Sequence, residues 1–418
     1  MAHHPVTDPA HSWLHHEMAF QATAFLDAEG SVHRTFRDMP AWAQEALDYG
    51  VRTVYVCGWD RGGQDNMYPI YEPDPRLGTW EELRAGIEAC HRLGVRVVTF
   101  VNFQPIDCDT DWYRAGLQQY RSMNPWGYSK AMSWGWGTVG ARLLMTSRPM
   151  QFADLSFPAY RKLIVSQMKK LAEIGADGIH VDKLAWDIIG LDFNPALTTS
   201  PDQAPWQGIL QTVEEVLTAC RAVNPQFCLS YEGVWDRMLA YSDMLWAWHS
   251  NWENQHTAAF RYAFSQWTPR QAIFQPFDYH VVNNAVRYGY QLFVAAAHMC
   301  GSLNDPAMRP LSAYIREVLR IREELRDYVY AGEFLDVLEA RVTHDPEIFF
   351  NTHRHTLTRK RACVLVNHGA APGQAEVTFE GNLDGQARVY RPYAAVERVG
   401  LPVRLSVPPD RLAIVVED

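Results

Sequence analysis

Two carboxylates carry the clearest chemical signal in this 418-residue chain. The first is Asp182, in the stretch GADGIHVDKLAW from Gly175 to Trp186. On a strand alternate residues share a face, so His180 and Asp182 point one way and Ile179 and Val181 the other. The second is Glu232, in FCLSYEG from Phe227 to Gly233, where Cys228, Ser230 and Glu232 share a face. Both acids close a short apolar run and fall at its C-terminal end. If the two runs are neighbouring parallel strands of a barrel, Asp182 and Glu232 look toward each other across its mouth, where barrel active sites lie. Glycoside hydrolysis needs such a pair. One carboxylate attacks the sugar or orients water, and the other gives and takes the proton. The bland alternatives are a loop cap for Asp182 and a lumen salt bridge for Glu232.

Other polar groups stand at predicted strand ends. Asp278 closes FQPFD and either stabilises developing positive charge or caps the helix that follows. Asp60 in GWDRGGQD and Asn102 in VVTFVNF are candidates for holding sugar hydroxyls, as is His249. Lys183 follows the first acid directly. Arg148 in TSRP suits a substrate carboxylate or sulfonate, or pairs with an acid. Trp134 and Trp136 are candidates for walling a sugar subsite. His180, one layer below Asp182, is a substrate-facing candidate or a hydrogen-bonded lumen residue. Asp243 precedes the apolar run Met244–Trp248 and so belongs at the opposite, stability face. His353 and His355 form an HxH far from any barrel strand end and are expected at the surface.

The elements needed to position these groups are legible. From about residue 40 to 330, helical patterns alternate with short apolar runs, as in a parallel sheet with crossover helices. The runs are Met18–Phe25, Thr53–Trp59, Val95–Asn102, Gly178–Asp182, Phe227–Glu232, Met244–His249, Ala272–Asp278 and about Ala297–Leu303, which gives a (β/α)8 TIM barrel. Before Gly178, Tyr160, Leu163, Ile164, Met168 and Leu171 recur at helical spacing after Pro158, and Gly175 ends the helix. Residues 103–157 form a long insertion rich in Trp, of the kind that makes lids and binding loops. After about residue 330 the texture changes to short strands with turns. Residues 1–330 therefore read as the catalytic barrel and 331–418 as a small antiparallel, β-sandwich-like domain.

Composition bounds the partners. Hydrophobic residues make up 47% and charged residues 21%, a globular balance that excludes whole-chain disorder. A net charge of −10 argues against nucleic acid and against an anionic membrane surface. No run of 18 apolar residues exists, so no spanning helix is expected. The seven cysteines lack CxxC spacing and the N-terminus lacks a signal-peptide pattern, which points to reduced thiols in a cytoplasm. There is no P-loop, dinucleotide fingerprint or GxSxG elbow. Nothing in the sequence sets the oligomeric state.

With these residues in view, a resemblance becomes specific. GxDGxxxD at Gly175–Asp182 resembles the nucleophile strand of retaining α-glycosidase barrels, and TVYVCGWDRGGQD followed by GVRVVTFVN resembles their second and third strands. The closest texture is an uncharacterised glycosidase-like barrel family with GWDRGG-like, DGxxxD-like and YGYQLFVAAA-like stretches. The resemblance covers about residues 50–310. In the α-amylase clan it implies a nucleophilic Asp on strand four, a Glu acid/base on strand five and an assisting Asp on strand seven, which Asp182, Glu232 and Asp278 match by position. The α-galactosidase/α-glucosidase clan takes its acid from strand six, where no Asp stands at the right end here. His180 replaces the Arg that amylases carry two residues before the nucleophile. The expectation is a retaining, exo-acting hydrolase of an α-linked sugar, with a carbohydrate substrate and no metal or organic cofactor. A transglycosidase on the same site, an inactive carbohydrate-binding barrel and a non-glycosidase barrel hydrolase are the alternatives.

Overall fold

In the computed structural model, eight parallel strands close into a barrel. The described residues are 12–129, 131–132, 140, 143, 145, 148–184, 190–233, 236–246, 261–264, 267 and 269–418. The barrel strands are β1 (Ala19–Ala24), β2 (Thr53–Cys57), β3 (Arg96–Asn102), β4 (Gly178–Asp182), β5 (Cys228–Glu232), β6 (Met244–Trp246), β7 (Pro269–Ile273) and β8 (Gln291–Val294). Each pairs in parallel with the next, and β8 returns to pair with β1. The predicted barrel is therefore present.

Two of its strands lie elsewhere than the sequence suggested. β7 begins at Pro269 rather than Ala272, because Arg270 and Gln271 interrupt the apolar run that would have announced it. β8 is Gln291–Val294, not a segment near Ala297–Leu303. The run YQLFVAAA has a helix-like length, but Gly289, at φ +72, ends the preceding helix Tyr279–Arg287 and releases the chain as a strand.

Alternation sets the two faces. Phe20, Tyr55, Phe100, Met244 and Phe293 fill the lumen. Tyr55 packs edge-on against Phe20 and Phe293, with ring centroids 5.5 and 5.2 Å apart. Outward residues such as Val54, Val97, Ile179 and Leu229 join the larger core beneath the helices. The helix Pro158–Glu173 buries Tyr160, Ile164, Met168 and Leu171, the predicted apolar face.

The insertion after β3 carries its own small sheet. Met150–Phe152 pairs antiparallel with Pro105–Asp107 and with Ala131–Met132. Its end is joined to the loop after β4, where Asp154 faces Asp192. One oxygen of each carboxylate is buried without a donor. Burial first, then the Asp192 carboxylate, push Asp154 up to about 7.

Beyond the barrel, a six-stranded sheet and a three-stranded sheet are antiparallel throughout. Val403–Val407 and Leu412–Glu417 lie in different sheets, separated by the turn at Pro408–Asp410. Among the described residues no helix is long and apolar enough to cross a membrane.

Two predictions follow from packing and burial. Gly178 starts β4 so close to β5 that an added Cβ would sit 2.5 Å from the Cys228 carbonyl oxygen. Gly178→Ala should cost about 2 kcal/mol in urea unfolding, because two ladder-bonded strands must part. Asp154 binds its proton more tightly folded than unfolded. Its contribution is complete below its ordinary value of 3.8 and is lost as pH rises through about 7. Across that window wild-type melting temperature should fall with rising pH, and Asp154→Asn should flatten the slope.

Candidate active site

The C-terminal end of β4 is built around a buried lysine. Lys183 follows Asp182 with φ +57, left-handed backbone that costs a side-chain-bearing residue on the order of 1 kcal/mol. That turn folds the residue back over the strand end. Its backbone N–H donates to Glu232 Oε2 at 2.9 Å. Its ammonium donates to Asp182 Oδ2 and, at 2.7 Å, to Asp65 Oδ1. Asp182, Glu232, Lys183 and Asp65 are all buried. Burial opposes the Lys183 charge, but Asp182, Asp65 and Glu232 outweigh it and hold the ammonium above its usual value.

Asp65 was not singled out from the sequence, although it closes the same GWDRGGQD stretch as Asp60. The loop after β2 delivers it. Gly58, at φ +56, lets this loop pass against the segment that follows β1, where a Cβ would meet the Leu26 carbonyl oxygen at 2.1 Å. The Asp65 N–H then donates to the Tyr68 hydroxyl at 2.9 Å. Tyr71 fixes the neighbouring strand end. Its hydroxyl donates to the Asn102 carbonyl at 2.7 Å and accepts the Asn102 N–H at 2.5 Å.

Asn102 is the register partner of Asp182 on β3. Its side-chain amide is fully buried, and neither its nitrogen nor its oxygen has a partner. Asp60 is buried too, with Oδ2 unpartnered. Burial, then the Asp65 and Asp74 charges, push its carboxyl well above the usual range.

His180 lies in the floor of the barrel. It is fully buried, with its ring 4.6 Å from that of Phe100. Nδ1 lies 2.9 Å from Ser230 Oγ and 2.6 Å from Arg270 Nη2, so it accepts. Burial, then Arg270 and Lys183, hold the imidazole well below its usual value and neutral. Arg270 is the second group missed by sequence, because its strand was placed from Ala272. Its guanidinium lies over Tyr55 and Phe293, 4.8 and 4.4 Å from the ring centroids.

Several candidates are not brought to this cluster. Asp278 Oδ2 accepts the N–H groups of Phe274 and Gln275 at 2.8 Å, bracing the loop after β7. Asp278 lies beyond the end of β7 at Ile273 and N-caps the helix Tyr279–Arg287. Arg148 pairs with the buried Asp107, which also accepts the Met67 N–H at 2.9 Å. It therefore ties the insertion to the loop after β2. Asp243 lies at the N-terminal face as expected, accepting from Leu229 N–H and Arg221. Trp134, Trp136 and His249 lie outside the described residues.

No protein-family model matches the sequence, and no curated protein does. Solved structures do. The chain is similar to an α-amylase from Geobacillus thermoleovorans complexed with acarbose, with a TM-score of 0.65 at 10% identity over 97% of this chain and 99% of that one. The trehalose-6-phosphate hydrolase of Bacillus licheniformis gives a TM-score of 0.67 at 8% identity over 97% and 100%. The Nostoc punctiforme debranching enzyme gives 0.62 at 12% over 97% and 98%. The chain has the fold of these enzymes. The expected α-amylase-like architecture, barrel and C-terminal sheets together, is thus present at identities that establish fold alone.

The lysine is the group on which the site's geometry rests. Replacing Lys183 with Met leaves buried carboxylates facing each other. Such a change should lower unfolding free energy by about 3–5 kcal/mol in urea titration at pH 7. The loss should shrink at acid pH, where the carboxylates take up protons.

Proposed function

We propose that the protein is a retaining hydrolase of an α-linked sugar, with Asp182 as nucleophile and Glu232 as acid/base. The observation that carries this reading is the pair itself. Two buried carboxylates close adjacent parallel strands at the mouth of a barrel, and one residue, Lys183, contacts both. The α-glycosidases of the same fold support the class of substrate.

In the first step an Asp182 carboxylate oxygen bonds to the anomeric carbon as the bond to the leaving oxygen breaks. Glu232 gives its proton to that oxygen. In the second step Glu232 takes a proton from water, the water oxygen bonds to the anomeric carbon, and Asp182 departs as a carboxylate. Retention requires the carboxyl groups about 5–5.5 Å apart, and inversion about 6.5–9.5 Å. Lys183 pairs with Asp182 through its ammonium and keeps Glu232 in place through its backbone N–H. Asn102 offers an unpartnered amide, and Asp60 an unpartnered carboxyl oxygen, to sugar hydroxyls. Trp134, Trp136 and His249 are proposed further sugar contacts, and one unit is removed from a small substrate. Seven unpaired cysteines fit a reducing cytoplasm.

The ion pair of Asp182 with Lys183 favours one second reading, a sugar-binding barrel whose carboxylate is held too firmly to attack. Hydrolysis of α- and β-aryl glycosides separates the two. Wild type should cleave one α-glycoside. Asp182→Asn should lose at least about 1,000-fold in kcat, and Glu232→Gln should lose least on substrates with the best leaving groups. Full activity in Asp182→Asn overturns the assignment. Saturable sugar binding with no turnover across the panel establishes the second reading.

A further inference from the structure

The pole of the barrel opposite the carboxylates holds two buried arginines that pair with no acid among the described residues. Arg261 and Arg322 are at most 1% exposed. Arg261 Nη2 donates to the carbonyls of Tyr330 and Gly332 at 3.3 and 3.4 Å. Its Nε and Nη1 have no acceptor, and neither do Nε, Nη1 and Nη2 of Arg322. The Arg322 guanidinium lies 5.2 Å from the Tyr330 ring, so Tyr330 touches both arginines. Trp267, just before β7, adds a buried indole N–H without an acceptor. Among the described residues no carboxylate pairs with either arginine.

His353 belongs to the same group, and here the surface expectation is corrected. It is fully buried on the strand Ile348–Arg354. An added Cβ on Gly289 would lie within 3.4 Å of its ring and 3.6 Å of Arg261 Nη2. Its Nε2 donates to the Arg287 carbonyl at 2.8 Å, so Nδ1 is a bare lone pair. Gln291, the first residue of β8, gives its amide N–H to Tyr330 and leaves its oxygen without a donor. Burial lowers Arg261 and Arg322 to about 10, which leaves both charged at neutral pH, and takes His353 to about 3.

Two cations enclosed together repel, and each unmet donor adds a desolvation cost. Water satisfies donors but leaves the charge. We propose that a small monovalent anion of the halide class, chloride in the cell, binds between Arg261 and Arg322. A compact anion fits this lining, in which the unpartnered guanidinium N–H groups supply donors and charge, Trp267 adds an unpartnered N–H, and the unpartnered acceptors of His353 and Gln291 leave little to favour a larger divalent oxyanion. Bound there, it fastens the C-terminal sheet to the barrel, because Arg261 reaches Gly332 and the site abuts His353.

The test compares melting of the full chain in sodium chloride and in sodium gluconate at equal ionic strength, since gluconate is too large to enter. Chloride should raise Tm saturably, by about 2 °C or more. Arg322→Met should abolish the difference between the salts. A crystal of wild type soaked in sodium bromide should show an anomalous peak between the two guanidinium groups, which decides the matter even if the variant does not fold. Equal wild-type Tm in both salts, an unchanged difference in Arg322→Met, or density for water only with no bromide peak each overturns the proposal.

Discussion

The ammonium of Lys183 is the charge around which the mouth of this barrel is arranged. It is buried, and a buried ammonium is costly unless carboxylates neutralise it. Asp182 and Asp65 do so, and the backbone N–H of the same residue fixes Glu232. One residue thus sets the relation between the ends of β4 and β5 and the loop after β2. The positive φ at Lys183 is the local cost of this arrangement, and the surrounding ion pairs over-determine it.

The connections are built to deliver charge to that point. The glycine-lined loop after β2 brings in Asp65, and its own position depends on Asp107, which binds both Met67 N–H and Arg148. The insertion is therefore coupled to the mouth through a second buried carboxylate. Beneath the mouth, neutral His180 links Ser230 of β5 to Arg270 of β7, so the floor ties strands on either side of β6. The layout keeps charged groups at the C-terminal ends and an aromatic plug below them.

Much of this was legible in the chain. Period-two alternation placed Asp182 and Glu232 at strand ends, and helical spacing over Tyr160–Leu171 placed the intervening helix. What escaped has physical reasons. Arg270 and Gln271 made β7 look polar, since a lumen residue answers to cross-barrel partners that no local window contains. Asp65 lies on a loop, where no periodicity exists, and only its three-dimensional pairing with Lys183 reveals it. Asp278 ends an apolar run as a catalytic acid would, yet its carboxylate meets the backbone of its own turn. His353 reads as a surface residue in a β-domain and is buried, because burial there comes from the barrel rather than from its own sheet.

The two poles divide the labour of the fold: carboxylates around one lysine at the mouth, and arginines between barrel and C-terminal sheet at the base. The central claim concerns the mouth, that Asp182 forms a bond to sugar. Trapping tests it most directly. The protein is incubated with an activated 5-fluoro-α-glycosyl fluoride of the sugar it cleaves, then digested and mapped by mass spectrometry. The account predicts one glycosyl adduct, on the peptide carrying Asp182 and on that side chain. An adduct on another residue, or turnover that yields the inverted anomer without any adduct, would contradict it.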